Sequence, residues 1–186
     1  MSALEHAASR PGSQPNTVTK LFSYSFSVTS PPAPKAVEHL HEYSYNEFQL
    51  ALTLDWKLVP TATDGSISFH SERAGAGITV SADFCDVPES KAHALGEKNI
   101  ASRFDALAAL NPGKVVVLRQ EIKPHSSGAG LELTFAAELP GEYVYLFLGH
   151  VTGRKVLNFT MVCKPDRQVA ATLFNKTIGG FRPKLP

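Results

Sequence analysis

From Lys114 to Lys164, apolar and polar positions alternate through four consecutive segments, which predicts a four-strand meander. Leu131, Leu133, Phe135 and Ala137 alternate with Glu132, Thr134, Ala136 and Glu138, so the first set is assigned to a core. Read as a four-residue turn, Leu139-Pro140-Gly141-Glu142 pairs Glu138 with Tyr143, Ala137 with Val144, and Phe135 with Leu146. This register puts Val144, Leu146 and Leu148 inside and turns Tyr143, Tyr145 and Phe147 onto the opposite face. Val116, Leu118 and Ile122 then align with Ala137, Phe135 and Leu131. The loop Val151-Thr152-Gly153-Arg154 aligns Leu148 with Leu157 and Leu146 with Phe159.

Upstream, residues 1–19 read as a disordered tail, and residues 20–186 as one domain. Alternation over Leu21–Thr29 predicts a strand, and Ser30-Pro31-Pro32-Ala33-Pro34 a stiff connector. Val37–Tyr45 reads as a short strand. Phe48, Leu50, Leu52 and Leu54 form another alternating run. A hairpin follows, with Ile67 opposite Val80 and Phe69 opposite Ile78 across Arg73-Ala74-Gly75-Ala76. A long helix spans about 88–110, with Asp86 as N-cap and Ile100, Phe104, Leu107 and Ala108 as its apolar stripe. Asn111-Pro112-Gly113 stops it. Asp166 caps a last helix carrying Val169, Ala170, Leu173, Phe174 and Ile178. Gly179-Gly180 ends that helix, with Phe181 folding back.

Charge narrows the function little. Eighteen basic and seventeen acidic residues leave a net charge of +1, which gives no electrostatic footprint for nucleic acid. No apolar run approaches the roughly 20 residues that span a bilayer, so no membrane insertion is expected. The first twenty residues lack a signal-type apolar core, and the two cysteines, Cys85 and Cys163, lie far apart. The expected location is therefore cytoplasmic.

No sequence motif for catalysis or phosphate binding is present, and no cofactor or catalytic residue is expected. His39-Leu40-His41-Glu42 is the one metal-like cluster, read here as a solvated edge segment with no metal. His70, His125 and His150 are expected in exposed loops or on a polar face. Cys163 reads as a small buried hydrophobe. The candidate contact surface is the aromatic row Tyr143, Tyr145 and Phe147. The polar residues Arg119, Glu121, Glu132, Thr134, Glu138, Asn158 and Thr160 are placed on that same face. Such a row must be covered by a protein partner, by a second copy, or by the chain's own helix 88–110 or N-terminal strand.

The order of strands, hairpin, long helix, four-strand meander and C-terminal helix resembles the PsbP-like fold. Three local stretches resemble the bacterial DcrB-like group within it. These are Phe48-Gln49-Leu50-Ala51-Leu52-Thr53-Leu54-Asp55-Trp56-Lys57, then Gly65–Phe69 with Ile78–Ser81, and the helix end Ile178-Gly179-Gly180-Phe181. Eag-type chaperones of type VI secretion share the fold. The resemblance implies a non-enzymatic chaperone or adaptor that shelters an effector's transmembrane helix. A small-molecule or hydrolytic pocket between helix and sheet, and a GTPase-docking regulator, are the alternatives. The expected fold is α+β: a twisted, mainly antiparallel sheet flanked by two helices.

Overall fold

The computed structural model describes residues 39–60 and 65–185. The expected tail, the strand at 21–29 and the connector at 30–34 lie outside the described residues. Ten strands and two helices follow in order. They are β1 (Leu40–Ser44), β2 (Phe48–Thr53), β3 (Lys57–Val59), β4 (Ser66–Ser71), β5 (Ala76–Phe84) and α1 (Glu89–Leu110). Then come β6 (Val116–Pro124), β7 (Leu131–Leu139), β8 (Tyr143–Val151), β9 (Lys155–Cys163), α2 (Arg167–Gly179) and β10 (Phe181–Pro183). The expected α+β class is correct. A seven-stranded antiparallel sheet runs β3-β4-β5-β9-β8-β7-β6, and a three-stranded sheet runs β1-β2-β10.

Each side of the large sheet carries a core. One core joins β4, β5, β8 and β9 through Phe69, Ile78, Val80, Leu146, Phe159 and Met161 to α2 and the small sheet. Leu50, Phe174 and Phe181 are its contacts from those covering elements. The other core lies under α1, where Ile100 and Leu107 pack with Leu133, Phe135, Ala137, Leu139 and Phe147. Within α1, Phe104 stays partly exposed and Gly96 is buried. A Cβ on Gly96 would sit 2.9 Å from Leu133 Cδ2, so the glycine sets how closely helix and sheet approach.

The hairpin β4–β5 has the expected register, Ile67 with Val80 and Phe69 with Ile78. The meander does not. Leu139 pairs with Tyr143, Ala137 with Tyr145 and Phe135 with Phe147. Pro140 and Gly141 (φ +80°) form a type II turn closed by Glu142 N–H donating to Leu139 O at 3.0 Å. Leu139 joins the strand and leaves a three-residue loop in place of the expected four, so the pairing slips by one from the expected register. A slip of one residue exchanges the faces. Phe135 therefore shares the α1 face with Tyr143, Tyr145 and Phe147, while Ala136 pairs with Leu146 on the opposite face. The β8–β9 pairing slips by two, Leu148 with Phe159 and Leu146 with Met161, which preserves the faces. A bulge between Val117 and Arg119 shifts β6, so Ile122 meets Leu133 and not Leu131.

The helix ends also differ from one another. Asp166 caps α2 as expected, its carboxylate accepting from Gln168 N–H and Val169 N–H at 3.0 Å. α1 begins after Pro88 with no side-chain cap, and Asp86 lies outside it. The backbone supplies the anchor instead: Val87 N–H donates to Gly153 O at 2.9 Å. Phe181 folds back as expected, but as the start of β10, paired with Leu50.

Candidate functional site

The predicted contact set divides between the two faces. Tyr143, Tyr145 and Phe147 lie on the α1 side, with Phe147 fully buried and both tyrosines half-buried. The aromatic row is thus covered by the chain's own helix. Asn158 and Thr160 share that side, since Thr160 pairs with Phe147 and Asn158 with Gly149. Arg119, Glu121, Glu132, Thr134 and Glu138 fall on the other side, because the slipped register turns them toward α2 and the small sheet. Arg119 is held there by an ion pair to Glu121. Arg167 from α2 likewise binds Glu138.

Arg103 marks where α1 ends its cover. Its guanidinium lies 3.7 Å from the centre of the Phe147 ring. Nη1 donates to Tyr145 Oη at 3.2 Å, Nη2 to Asn158 Oδ1 at 2.9 Å, and Nε to Asn99 Oδ1 at 3.0 Å. Asn158 is buried and passes the network on, its amide donating to Asp83 at 3.0 Å and Ser81 at 3.3 Å. α1 packs on β6, β7 and β8. Beyond this polar seam the same face continues over β9, β5 and β4 with Thr160, Val162, Ser81, Thr79, Ser68 and His70. Thr79, Val162 and His70 are exposed, and the rest half-buried. Ser68 and Thr79 hydroxyls are 2.9 Å apart across β4 and β5. The result is a flat strip of short hydrogen-bonding side chains along one flank of α1.

Among the histidines, His39, His41 and His70 are exposed as expected, with His41 against the Tyr43 ring, whereas His150 departs from expectation. His150 is buried, 3% exposed. It stands between the Phe181 ring, 6.4 Å away and stacked, and His125, 5.1 Å away and edge-on. No described residue hydrogen-bonds either ring nitrogen of His150. Burial, and secondarily the neighbouring His125, press its pKa down to about 4, with Glu132 opposing. Glu132 pairs directly with His150 across β7 and β8. The three ligand atoms offered by His125, Glu132 and His150 lie within 4.8 Å of one another. Gly130 places His125 in this group. Its φ is +89°, and a Cβ there would fall 2.0 Å from Val151 O, so only glycine lets the 125–130 loop lie against β8. Sequence reading missed this cluster because its members come together only through the β7–β8 register. Given that register, the Glu132–His150 pairing would have shown it. Cys163 is buried as expected, and burial pushes its thiol up to about 11, away from nucleophilic use.

No family model matches the chain, and no curated protein matches it. Among solved structures it is similar to cyanobacterial PsbP (CyanoP) from Synechocystis sp. PCC 6803. The TM-score is 0.53 at 17% identity, covering 83% of this chain and 98% of that one. A crystal structure from Bacteroides thetaiotaomicron aligns at a TM-score of 0.38 and 11% identity, over 74% of this chain and 45% of that one, and carries no argument. The chain has a PsbP-like fold.

Proposed function

We propose that this chain is a non-enzymatic binding protein whose contact surface is the uncovered strip of the large sheet beside α1. The observation that carries the reading is the half-covered face: α1 packs on β6–β8, while Thr160, Thr79, Ser81 and Ser68 continue the same face beyond it, half-buried or exposed. Serine and threonine lose little rotamer entropy when a partner orders them. A flat array of them suits a polypeptide that brings its own polar groups, with Val162 as an apolar contact within it. Grouping with DcrB-like proteins and Eag-type chaperones belongs to the same proposal, as does a cytoplasmic adaptor role toward a type VI secretion effector. It is supported by the segments 48–57, 65–69 with 78–81, and 178–181. With the aromatic row under α1, this surface would take a hydrogen-bonding stretch of such a client rather than its apolar helix.

The test is capture of a partner followed by reconstitution with the purified partner. Thr79→Arg combined with Thr160→Arg should weaken binding at least tenfold with an unchanged circular dichroism spectrum. Asn175→Arg, on exposed α2, should bind as the parent does. Parent-like affinity in the double variant would remove the strip from the contact.

A further inference from the structure

We propose that His125, Glu132 and His150 form a binding site for a transition-metal dication, zinc by its ligand type. Two imidazoles and one carboxylate are a common zinc set, whereas calcium and magnesium take oxygen ligands. The three donors come from three separate places, the β6–β7 loop, β7 and β8, and lie within 4.8 Å of one another. A tetrahedral site with bonds of about 2.0–2.1 Å holds its donors about 3.3 Å apart, so a small closing movement completes it. His125 supplies that movement, being half-buried on a loop, while Glu132 and His150 are fixed by strand pairing.

An independent observation points to the ion. His150 is 3% exposed, and no described residue bonds either of its ring nitrogens. Buried polar atoms in native proteins nearly always have a partner. A metal on one nitrogen would give that atom its partner, and it needs the imidazole neutral, the form that burial favours here. The surroundings also fit. His125 Nδ1 accepts from Ser127 N–H at 3.2 Å and lies 2.7 Å from Ser127 Oγ, contacts that steady the ring within its loop. Lys123 Nζ lies 2.9 Å from Glu132 Oε1, leaving Oε2 for the metal. The bound ion would pin the 125–130 loop to β8 beneath Phe181 of β10.

The experiment uses the full, tag-free chain stripped with a chelator, titrated with zinc by calorimetry and with cobalt by visible absorption. The expected result is one zinc taken up through this cluster with a rise in Tm. His125→Ala and Glu132→Gln should each lower the affinity at least tenfold with the fold intact by circular dichroism. His39→Ala combined with His41→Ala should leave the affinity unchanged. Absence of stoichiometric zinc, undiminished binding in His125→Ala and Glu132→Gln, or loss of binding in the His39/His41 variant would each overturn the proposal.

Discussion

The two faces of β8 make an instructive pair. Toward α2 and the small sheet it presents Val144, Leu146 and Leu148; toward α1 it presents Tyr143, Tyr145 and Phe147. Both rows are apolar and both are covered, yet the covers differ. The first is closed by α2 together with the small sheet, and its core runs on through β9, β5 and β4. The second is closed by one helix, and the shared face passes from aromatic to polar across the Arg103–Asn158 seam. A strand apolar on both sides signals a sheet sandwiched between layers, not an aromatic row awaiting a partner.

The strongest way to break this comparison is to truncate one aromatic on each face. Phe147→Ala and Phe159→Ala should each cost about 3–5 kcal/mol in urea unfolding, because both rings are fully buried. A cost below about 1 kcal/mol at Phe147 would mean that α1 does not cover the row.

Next in size is an acid effect confined to the α2-side face. His150 has a folded pKa of about 4 against an unfolded value of 6.5. Between those values the unfolded chain binds more protons, so stability falls as pH drops. The contribution is full above about pH 6.5 and is lost as pH falls through about 4, a total of about 3 kcal/mol. Chelator-treated parent and His150→Gln, unfolded in urea at pH 7 and pH 4.5, separate this term from carboxylate titration. The parent should lose more stability than the variant, and equal losses would contradict the burial of His150.

The smallest effect sharpens the seam. Tyr145→Phe removes the hydroxyl that accepts from Arg103 and should cost about 0.5–1.5 kcal/mol. A double-mutant cycle with Arg103→Met should show that this loss vanishes once the guanidinium is gone.

How much of this was legible in the sequence depends on what fixed each feature. The element order from the β4–β5 hairpin to α2, the β4–β5 register and the Asp166 cap follow from local alternation and local hydrogen-bonding chemistry and were read correctly, whereas the short strands β3 and β10 were not read. The β7–β8 register turned on one loop residue. Leu139-Pro140-Gly141-Glu142 signals a turn plainly, but the choice between Leu139 and Glu138 opposite Tyr143 decides which face every later side chain takes. With Ala136, Ala137, Tyr145 and Leu146 all tolerably apolar, hydrophobicity could not arbitrate. Of the ten residues set together on one face, Tyr143, Tyr145, Phe147, Asn158 and Thr160 share it, while Arg119, Glu121, Glu132, Thr134 and Glu138 belong to the other. The bulge in β6 and the histidine group both depend on long-range pairing, which no local pattern encodes.

The pairing of β10 with β2 bears on how the chain is made. Phe181 closes the α2-side core by lying beside Leu50, a partner from nearly the opposite end of the described chain. During synthesis the large sheet can assemble strand by strand, yet the apolar side that Phe181 and Phe174 later cover stays open until the last helix and strand emerge. Such late, long-range closure slows folding and leaves a sticky nascent surface in the interval. Yield should therefore be more sensitive to translation speed and chaperone supply than the stability of the finished fold would suggest.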